Sequence, residues 1–469
     1  TVQDRRGPAA GGRPADGREA DRSEHPERDD HPAGGVALVA RTGDRLGPGA
    51  IGLYALQWVL IAFYAAALGI AIVGVGLGLE GDALAGYMGR VVLMIGLATL
   101  AQTVAGHRWA MLSGPNIIPS LAIVAASEAG GRDYALQSFN ASIVGGLVVG
   151  VLALLGWIRH IRVVWTPLVL GSVVVMIGLI VAPFGMALIA ESGFGRPFWT
   201  GIGLALLIGV LSIRARGFVA SAAIGLSIVG GYAIFIAGGD LDWAEVTAMP
   251  TILPPTVFPY GLAAPPLDLV LVMTAIALFS VLNLYGNLDA FGGLIGERLE
   301  PRRTDASFTV FGFVENCLAG VLGVPGHVAY GENLGIVALS RVASRSPIIV
   351  AAAVIVLLGF FGLTAGLMAT MPRWLAGAVL LGVAANLIGI GAASWRQLLE
   401  FGQREQFIVG FSIFFTLGLY LLPSSAFEGV PRIVHTLVKN PVVFVIFVVI
   451  ALEQVLFRRS RQAQGSAPS

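Results

Sequence analysis

Between residues 47 and 457 the chain is a succession of apolar stretches long enough to cross a bilayer. A hydrocarbon core about 30 Å thick takes about 20 apolar residues as helix. By that measure the sequence predicts twelve full-length spans, near 50–78, 84–106, 137–159, 164–190, 198–213, 217–238, 267–294, 307–325, 347–371, 374–395, 406–422 and 440–457. Two further apolar segments are short and interrupted. Ser113–Ser127 carries Gly114, Pro115, Asn116 and Pro119, and Tyr330–Arg341 carries Gly331, Glu332, Asn333 and Gly335. With both included, the expectation is an all-α polytopic membrane protein of 14 segments.

Charge supports that reading. Only 12% of residues are charged, about half the ~25% of a soluble globular chain. That excludes an ordinary soluble enzyme and a nucleic-acid-binding protein. Of the 57 charged residues (29 basic and 28 acidic), 17 lie in positions 1–46. This tail, rich in Arg, Asp, Glu, Gly and Pro, is expected to be disordered and cytoplasmic, either as a solvated extension or as a partner-binding arm. It does not read as a signal peptide.

Arginine placement orients the spans. Arg159 and Arg162 follow segment 4, Arg214 and Arg216 follow segment 6, and Arg298, Arg302 and Arg303 follow segment 8. Arg458, Arg459 and Arg461 end the chain. The loop of about 239–267 has no Lys or Arg and carries Asp240, Asp242 and Glu245. An even number of spans between the basic loops puts both termini in the cytoplasm and the acidic loop outside.

The two broken segments are third and tenth, the third of each half of seven. Thr166-Pro167-Leu168-Val169-Leu170-Gly171 and Pro372-Arg373-Trp374-Leu375-Ala376-Gly377 also echo one another at an offset of 206. Together they predict a duplicated seven-segment unit, and an odd count inverts the second copy. Broken hydrophobic segments at matching positions of two inverted halves point to a substrate site near the midplane, although they could also be kinks at helix contacts. Irregular backbone at that depth must be covered by protein or line a cavity.

Polar residues inside the spans are then the candidates. A carboxylate in a span is costly, so Glu332 leads, followed by Asn333 at the expected start of a short helix. The bland alternative locks Glu332 to Arg341 or Ser340. Asn283 and Asn287 are four apart on one face of segment 8. Asp289, about 200° round from Asn287, faces elsewhere. Asn287 and Asp289 could equally be hydrogen-bond glue between helices. Glu315 shares a face with Gly312 and Ala319, as a packing surface or a proton site. Gln57 and Asn116 complete the deep polar set. No metal-ligand spacing, phosphate loop or nucleophile triad is present, and the single Cys317 cannot form an intrachain disulfide. Neither an enzyme nor a metal or cofactor is expected.

Tyr330-Gly331-Glu332-Asn333-Leu334-Gly335, ending in Ser340-Arg341, resembles the signature of the nucleobase–ascorbate transporter family, also called nucleobase:cation symporters of the second type. The pattern is Gln/Glu/Pro-Asn-x-Gly, four variable residues, then Thr and often Arg, with Ser340 in place of Thr. The start and end of the motif look most like bacterial uracil and xanthine permeases, and the similarity covers about Gly49–Phe457.

The resemblance implies a core domain of segments 1–4 (47–162) and 8–11 (267–371), and a gate domain of segments 5–7 (163–240) and 12–14 (372–457). An extracellular loop (241–266) and a cytoplasmic C-terminal tail (458–469) accompany them. Segments 3 and 10 would each begin as a strand. Glu332 would accept a nucleobase N–H, with backbone groups of Gly331 and Ile117 completing the contacts. The family also implies a homodimer in the cell membrane, coupled to a proton or other cation. The chain departs from the pattern at three places. Asn283 stands where relatives have Glu, Asn287 where uracil permeases have His, and Gln57-Trp58 where they have Gln-His. Asn cannot titrate near neutral pH, so this chain keeps one of two carboxylates. Proton-coupling candidates are Glu332, Asn287, Asp289 and Glu315. The expected function is secondary active transport of a nucleobase by movement of the core against the gate. A different solute such as an organic anion, or a non-transporting scaffold or sensor, remains open.

Overall fold

Hydrocarbon offers backbone groups no water, so a spanning chain must bond them within helices or paired strands. The computed structural model describes residues 36–158, 160, 166–398 and 400–458. The expected disorder of 1–35 and the arginines at 159, 162, 459 and 461 fall outside the described residues.

The first half runs α1 (Pro48–Gly74), α2 (Gly81–Val104), strand β1 (Ser113–Pro115), α3 (Ile117–Gly130), α4 (Arg132–Leu154), α5 (Pro167–Ala190), α6 (Arg196–Arg214) and α7 (Gly217–Ser221 with Ala223–Ala237). The second runs α8 (Leu267–Ile295), α9 (Pro301–Val310 continued by Phe311–Leu318 and Ala319–Val321), β2 (His327–Ala329) and α10 (Asn333–Ser340). It ends with α11 (Arg345–Leu358 with Gly362–Ala369), α12 (Arg373–Trp395), α13 (Gln403–Leu421) and α14 (Arg432–Val438 with Pro441–Leu456).

Among the described residues, α1, α2, α4, α5, α6, α8 and α12 are each long and apolar enough to cross a membrane. The bent pair of α14, kinked by 84°, is an eighth if it counts as one span. Several expected full-length spans are therefore interrupted. The stretch 347–371 breaks at Gly359, where a Cβ would lie 2.6 Å from the Leu93 backbone of α2. The stretch 307–325 widens over Phe311–Leu318, where Asn316 Nδ2 donates to the Phe311 carbonyl at 2.9 Å. Such wide turns open the i→i−4 ladder locally.

The two strands cross antiparallel, pairing Ser113 with Ala329, Gly114 with Val328 and Pro115 with His327. The Tyr330 N–H donates to Leu112 O at 3.2 Å and the Asn116 N–H to Gly326 O at 2.7 Å, extending the ladder at both ends. Segment 10 thus begins at His327, three residues before the expected Tyr330, because its pairing with β1 sets the boundary. Gly114 is required at the crossing: a Cβ there would meet the Tyr330 ring and Ala65.

Helices α5 and α12 pack antiparallel along a stripe of small residues seven apart. A Cβ on Gly185 would lie 2.9 Å from Gly377 O, one on Gly178 3.2 Å from Ala384 O, and one on Gly171 2.8 Å from Gly391 O. Small residues let helix backbones approach closely. The same device joins α4 to α9 through Gly146, Gly150 and Gly312, and α2 to α11 through Gly96.

The loop after α7 does not stand free. Leu253 N–H donates to Phe360 O at 2.7 Å and Phe258 N–H to Val321 O at 2.7 Å.

Part of the expected disordered tail is also built in. Val39 N–H donates to Arg341 O at 2.8 Å, Ala343 N–H to Ala40 O at 2.8 Å, and Val36 N–H to Leu294 O at 3.0 Å. Thr42 Oγ1 donates to Glu297 at 2.7 Å, and Ser344 Oγ to Asp44 O at 2.8 Å. The physical reason is the apolar run Val36–Ala40, too short to span but able to pair with the chain beyond Arg341. Arg341 itself sits at φ 57° and ends α10.

The stripe gives a test. Gly377→Ala would drive a methyl into the Gly185 carbonyl and should lower Tm by the equivalent of about 1–3 kcal/mol. Gly410→Ala on α13 has open space and should be neutral or stabilising by up to ~1 kcal/mol. Thermal unfolding of the purified protein in detergent compares them, and equal Tm values for the two variants would refute the packing role.

Candidate functional site

The β1–β2 crossing leaves two helices starting inside the protein. Asn116 caps α3 by accepting the Ile118 N–H at 3.0 Å, and α10 starts just after Glu332. Beside these two helix starts lies a cleft of about 610 Å³, counting its open mouth.

The cleft has two unlike walls. One is polar and comes from α1, the two strand-to-helix junctions and α8: Tyr64, Asn116, Asn283, Asn287, Tyr330 and Glu332. Leu68, Pro115, Ile117, Val328 and Gly331 of the same elements line it between these polar groups. The other is apolar: Val174, Ile177 and Val181 of α5, and Val383, Leu387 and Ile390 of α12. Each triplet recurs at helical spacing, so each helix presents one face.

Glu332 is partly exposed, and Tyr64 Oη donates to its Oε1 at 3.2 Å. Among the described residues no cation pairs with it, and neither Ser340 nor Arg341 locks it. Ser340 Oγ instead accepts the Val342 N–H at 3.3 Å, at the far end of α10. Tyr330 donates to Pro115 O at 2.9 Å, and its ring lies 6.2 Å from that of Tyr64. Asn287 Nδ2 donates to Ala329 O at 2.8 Å and lies 3.5 Å from Asn283 Oδ1. Gly331 packs on Asn287, whose Oδ1 would be 3.0 Å from a Cβ there.

Other candidates lie elsewhere. The Asn333 side chain grips the start of β1: it accepts the Leu112 N–H at 3.1 Å and donates to Leu112 O at 3.0 Å and Tyr330 O at 2.7 Å. Gln57 is buried in α1 two turns before Tyr64 and does not line the cleft. Asp289 is exposed, as its angle from Asn287 predicts. Glu315 is buried between α9 and α2, where Gln102 Nε2 donates to it at 2.8 Å and to Ser307 O at 3.1 Å. Gly335 faces open space.

Two parts of the site escape the sequence reading. Tyr64 follows Gln57 by seven residues on one helix face, and a buried tyrosine hydroxyl requires a partner, which was the available signal. The apolar faces of α5 and α12 carry no local signal, since every face of those helices is apolar. Among the described residues no group of three or more His, Cys, Asp or Glu could hold a metal ion.

The chemistry available is edge recognition. A carboxylate and amide oxygens accept hydrogen bonds, amide N–H groups donate them, and the start of α10 brings a positive dipole end. The lining therefore offers hydrogen-bond donors and acceptors on one side and valine, leucine and isoleucine on the other.

Long apolar helices around a broken crossing, with a polar half-wall at its centre, define a multi-pass membrane transporter for a small molecule. Residues 49–425 match the Xan_ur_permease model of the permease family, and the chain belongs to that family, the nucleobase–ascorbate transporters. It is 27% identical to the uric acid transporter UacT of Escherichia coli, over 71% of this chain and 70% of that one. It is 25% identical to a xanthine permease of Bacillus subtilis, over 87% of this chain and 94% of that one. The transmembrane domain of a cyanobacterium bicarbonate transporter, BicA, shares the fold at 18% identity, with a TM-score of 0.56 over 80% of this chain and 96% of that one.

The grip of Asn333 on Leu112 predicts a stability effect separate from any ligand. Asn333→Ala should destabilise by about 1–3 kcal/mol through unpaired buried backbone groups. The readout is a lower Tm before any substrate is added, with Gly335→Ala as a neutral control. An unchanged Tm for Asn333→Ala would show that the grip contributes nothing.

Proposed function

We propose that this chain is a secondary active transporter for a nucleobase such as xanthine, uric acid or uracil, coupled to protons. The observation that carries the reading is Glu332, a carboxylate without a cationic partner among the described residues. It stands at the head of a broken helix in a cleft whose opposite wall is apolar. Glu332 accepts a ring N–H, and backbone at Gly331 and Ile117 with the amides of Asn116, Asn283 and Asn287 reads the rest of the edge.

Among the acidic candidates, Glu332 is the one that lines the cleft. Proton loading there neutralises the charge before the site moves through the apolar interior. A protonated carboxyl keeps an acceptor oxygen for the base, so proton and substrate travel together.

We read the fold as 14 elements in two inverted halves, α1–α7 and α8–α14. The stripe of α5 (Gly171, Gly178, Gly185) maps onto that of α12 (Gly377, Ala384, Gly391) at the same offset of 206 as the sequence echo. The polar wall belongs to the core, α1–α4 with α8–α11, and the apolar wall to the gate, α5–α7 with α12–α14. A smooth apolar wall lets a core carrying its substrate slide without breaking hydrogen bonds, which suits an elevator movement. The arginine pattern favours cytoplasmic termini.

A second reading, transport of an organic anion, is favoured by the neutral Asn283 and Asn287, which leave one acid in the cleft. Uptake of labelled xanthine, uric acid and uracil into transport-deficient cells decides. An inward proton gradient should drive accumulation of at least one base, and a protonophore should abolish it. Glu332→Gln should weaken uptake about 10–100-fold, the range for a lost charge-assisted hydrogen bond of ~1.5–3 kcal/mol. Undiminished uptake by Glu332→Gln would overturn the assigned site, and accumulation of carboxylates but no base would favour the second reading.

A further inference from the structure

We propose that a pocket beside Arg90, remote from Glu332, binds a small monovalent anion of the size of chloride. Arg90 is the tenth residue of α2 and is only 7% exposed. A guanidinium carries five N–H donors and stays charged. Among the described residues it makes no ion pair, and its one side-chain hydrogen bond is a long 3.4 Å contact from Nη2 to Tyr260 Oη. Its Nε has no partner among the described residues. The Tyr260 ring, 5.9 Å away, adds only a neutral π face. A buried charge is stable when paired, so this environment calls for a negative counter-charge.

The space beside it is built for something small. Gly86 and Gly89, one turn apart on the face that carries Arg90, leave α2 without side chains there. Leu253, Pro254 and Thr256 of the loop after α7 close over them, and Gly359 at the break of α11 completes the wall. The loop is fixed in this position because Leu253 N–H donates to Phe360 O. The space is about 220 Å³ with its mouth, well under half of the 610 Å³ of the cleft beside Glu332 measured the same way. No carboxylate lines it, the two prolines offer no N–H, the Leu253 N–H is taken by Phe360 O, and Thr256 offers its hydroxyl and its N–H as donors. Positive charge, small volume and a lining without acids together select a halide-sized anion. Such an ion would tie α2, the loop and the break of α11 together, so it is a structural ligand outside the transport cleft.

The test uses the full chain in detergent and no transport assay, so it is independent of the substrate assignment. Thermal unfolding is followed while sodium chloride replaces sodium gluconate at constant ionic strength. Tm should rise saturably with chloride and with bromide, by a few degrees, and stay flat in gluconate. Arg90→Gln should fold at least as stably as the parent in gluconate, since an unpaired buried charge is gone, and should lose the chloride response. Bromide soaked into crystals of the unmodified protein should give an anomalous peak in contact with the Arg90 guanidinium, a readout that stands even if Arg90→Gln fails to fold. A flat chloride response in the parent, a full response in a folded Arg90→Gln, or bromide bound only at other places would each overturn the proposal.

Discussion

Three backbone pairs between Ser113–Pro115 and His327–Ala329 hold the centre of this protein together. At membrane depth an unpaired N–H or C=O costs several kcal/mol, so neither broken segment could exist without the other. The crossing satisfies the backbone that the breaks expose, and it aims two helix starts into one space. Tyr330 and Asn333 then lock the junction, the first to Pro115 and the second to Leu112. The glycine at 114 permits the close approach that both locks need. Remove the pairing and the cleft has no polar wall.

The division of labour around that crossing is chemical. Elements that reach the crossing carry tyrosine, asparagine and glutamate into the cleft, while α5 and α12 bring only branched aliphatic side chains. Polar groups give orientation and apolar faces give a surface without fixed partners. The glycine stripe between α5 and α12 serves the second wall, because close backbones leave its bulky residues no room except toward the cleft or the opposite flank.

The fold was legible where physics is local. Span length, the two breaks and the echo between Thr166 and Pro372 are visible as runs and offsets, and Glu332 stood out because a carboxylate in such a run is costly. Asp289 is exposed while Asn287 is buried, in keeping with their separation of about 200° round the helix. What the sequence hid is set by contacts between distant elements. The break at Gly359 answers the backbone of Leu93, and β2 begins at His327 because β1 does. Tyr64 is part of the site only because α1 packs beside the strand crossing and brings its hydroxyl to Glu332. The side chain of Asn333 faces Leu112 for the same reason, which a linear motif cannot display. Charge dominates the composition of the tail, and the five apolar residues Val36–Ala40 are too few to stand out as a span.

That short strap also fixes an order of events. Its partners are Leu294, Glu297, Arg341 and Ser344, and the bond from Ser344 to Asp44 spans 300 residues. A ribosome adding about 5–20 residues per second needs roughly 15–60 s to make that much chain. Until Leu294 and Glu297 are made the segment ahead of the first span has nothing to dock on, and until Ser344 is made it is only partly held. Completion of the second half closes that window, so the segment just ahead of the first span is among the last to find its place.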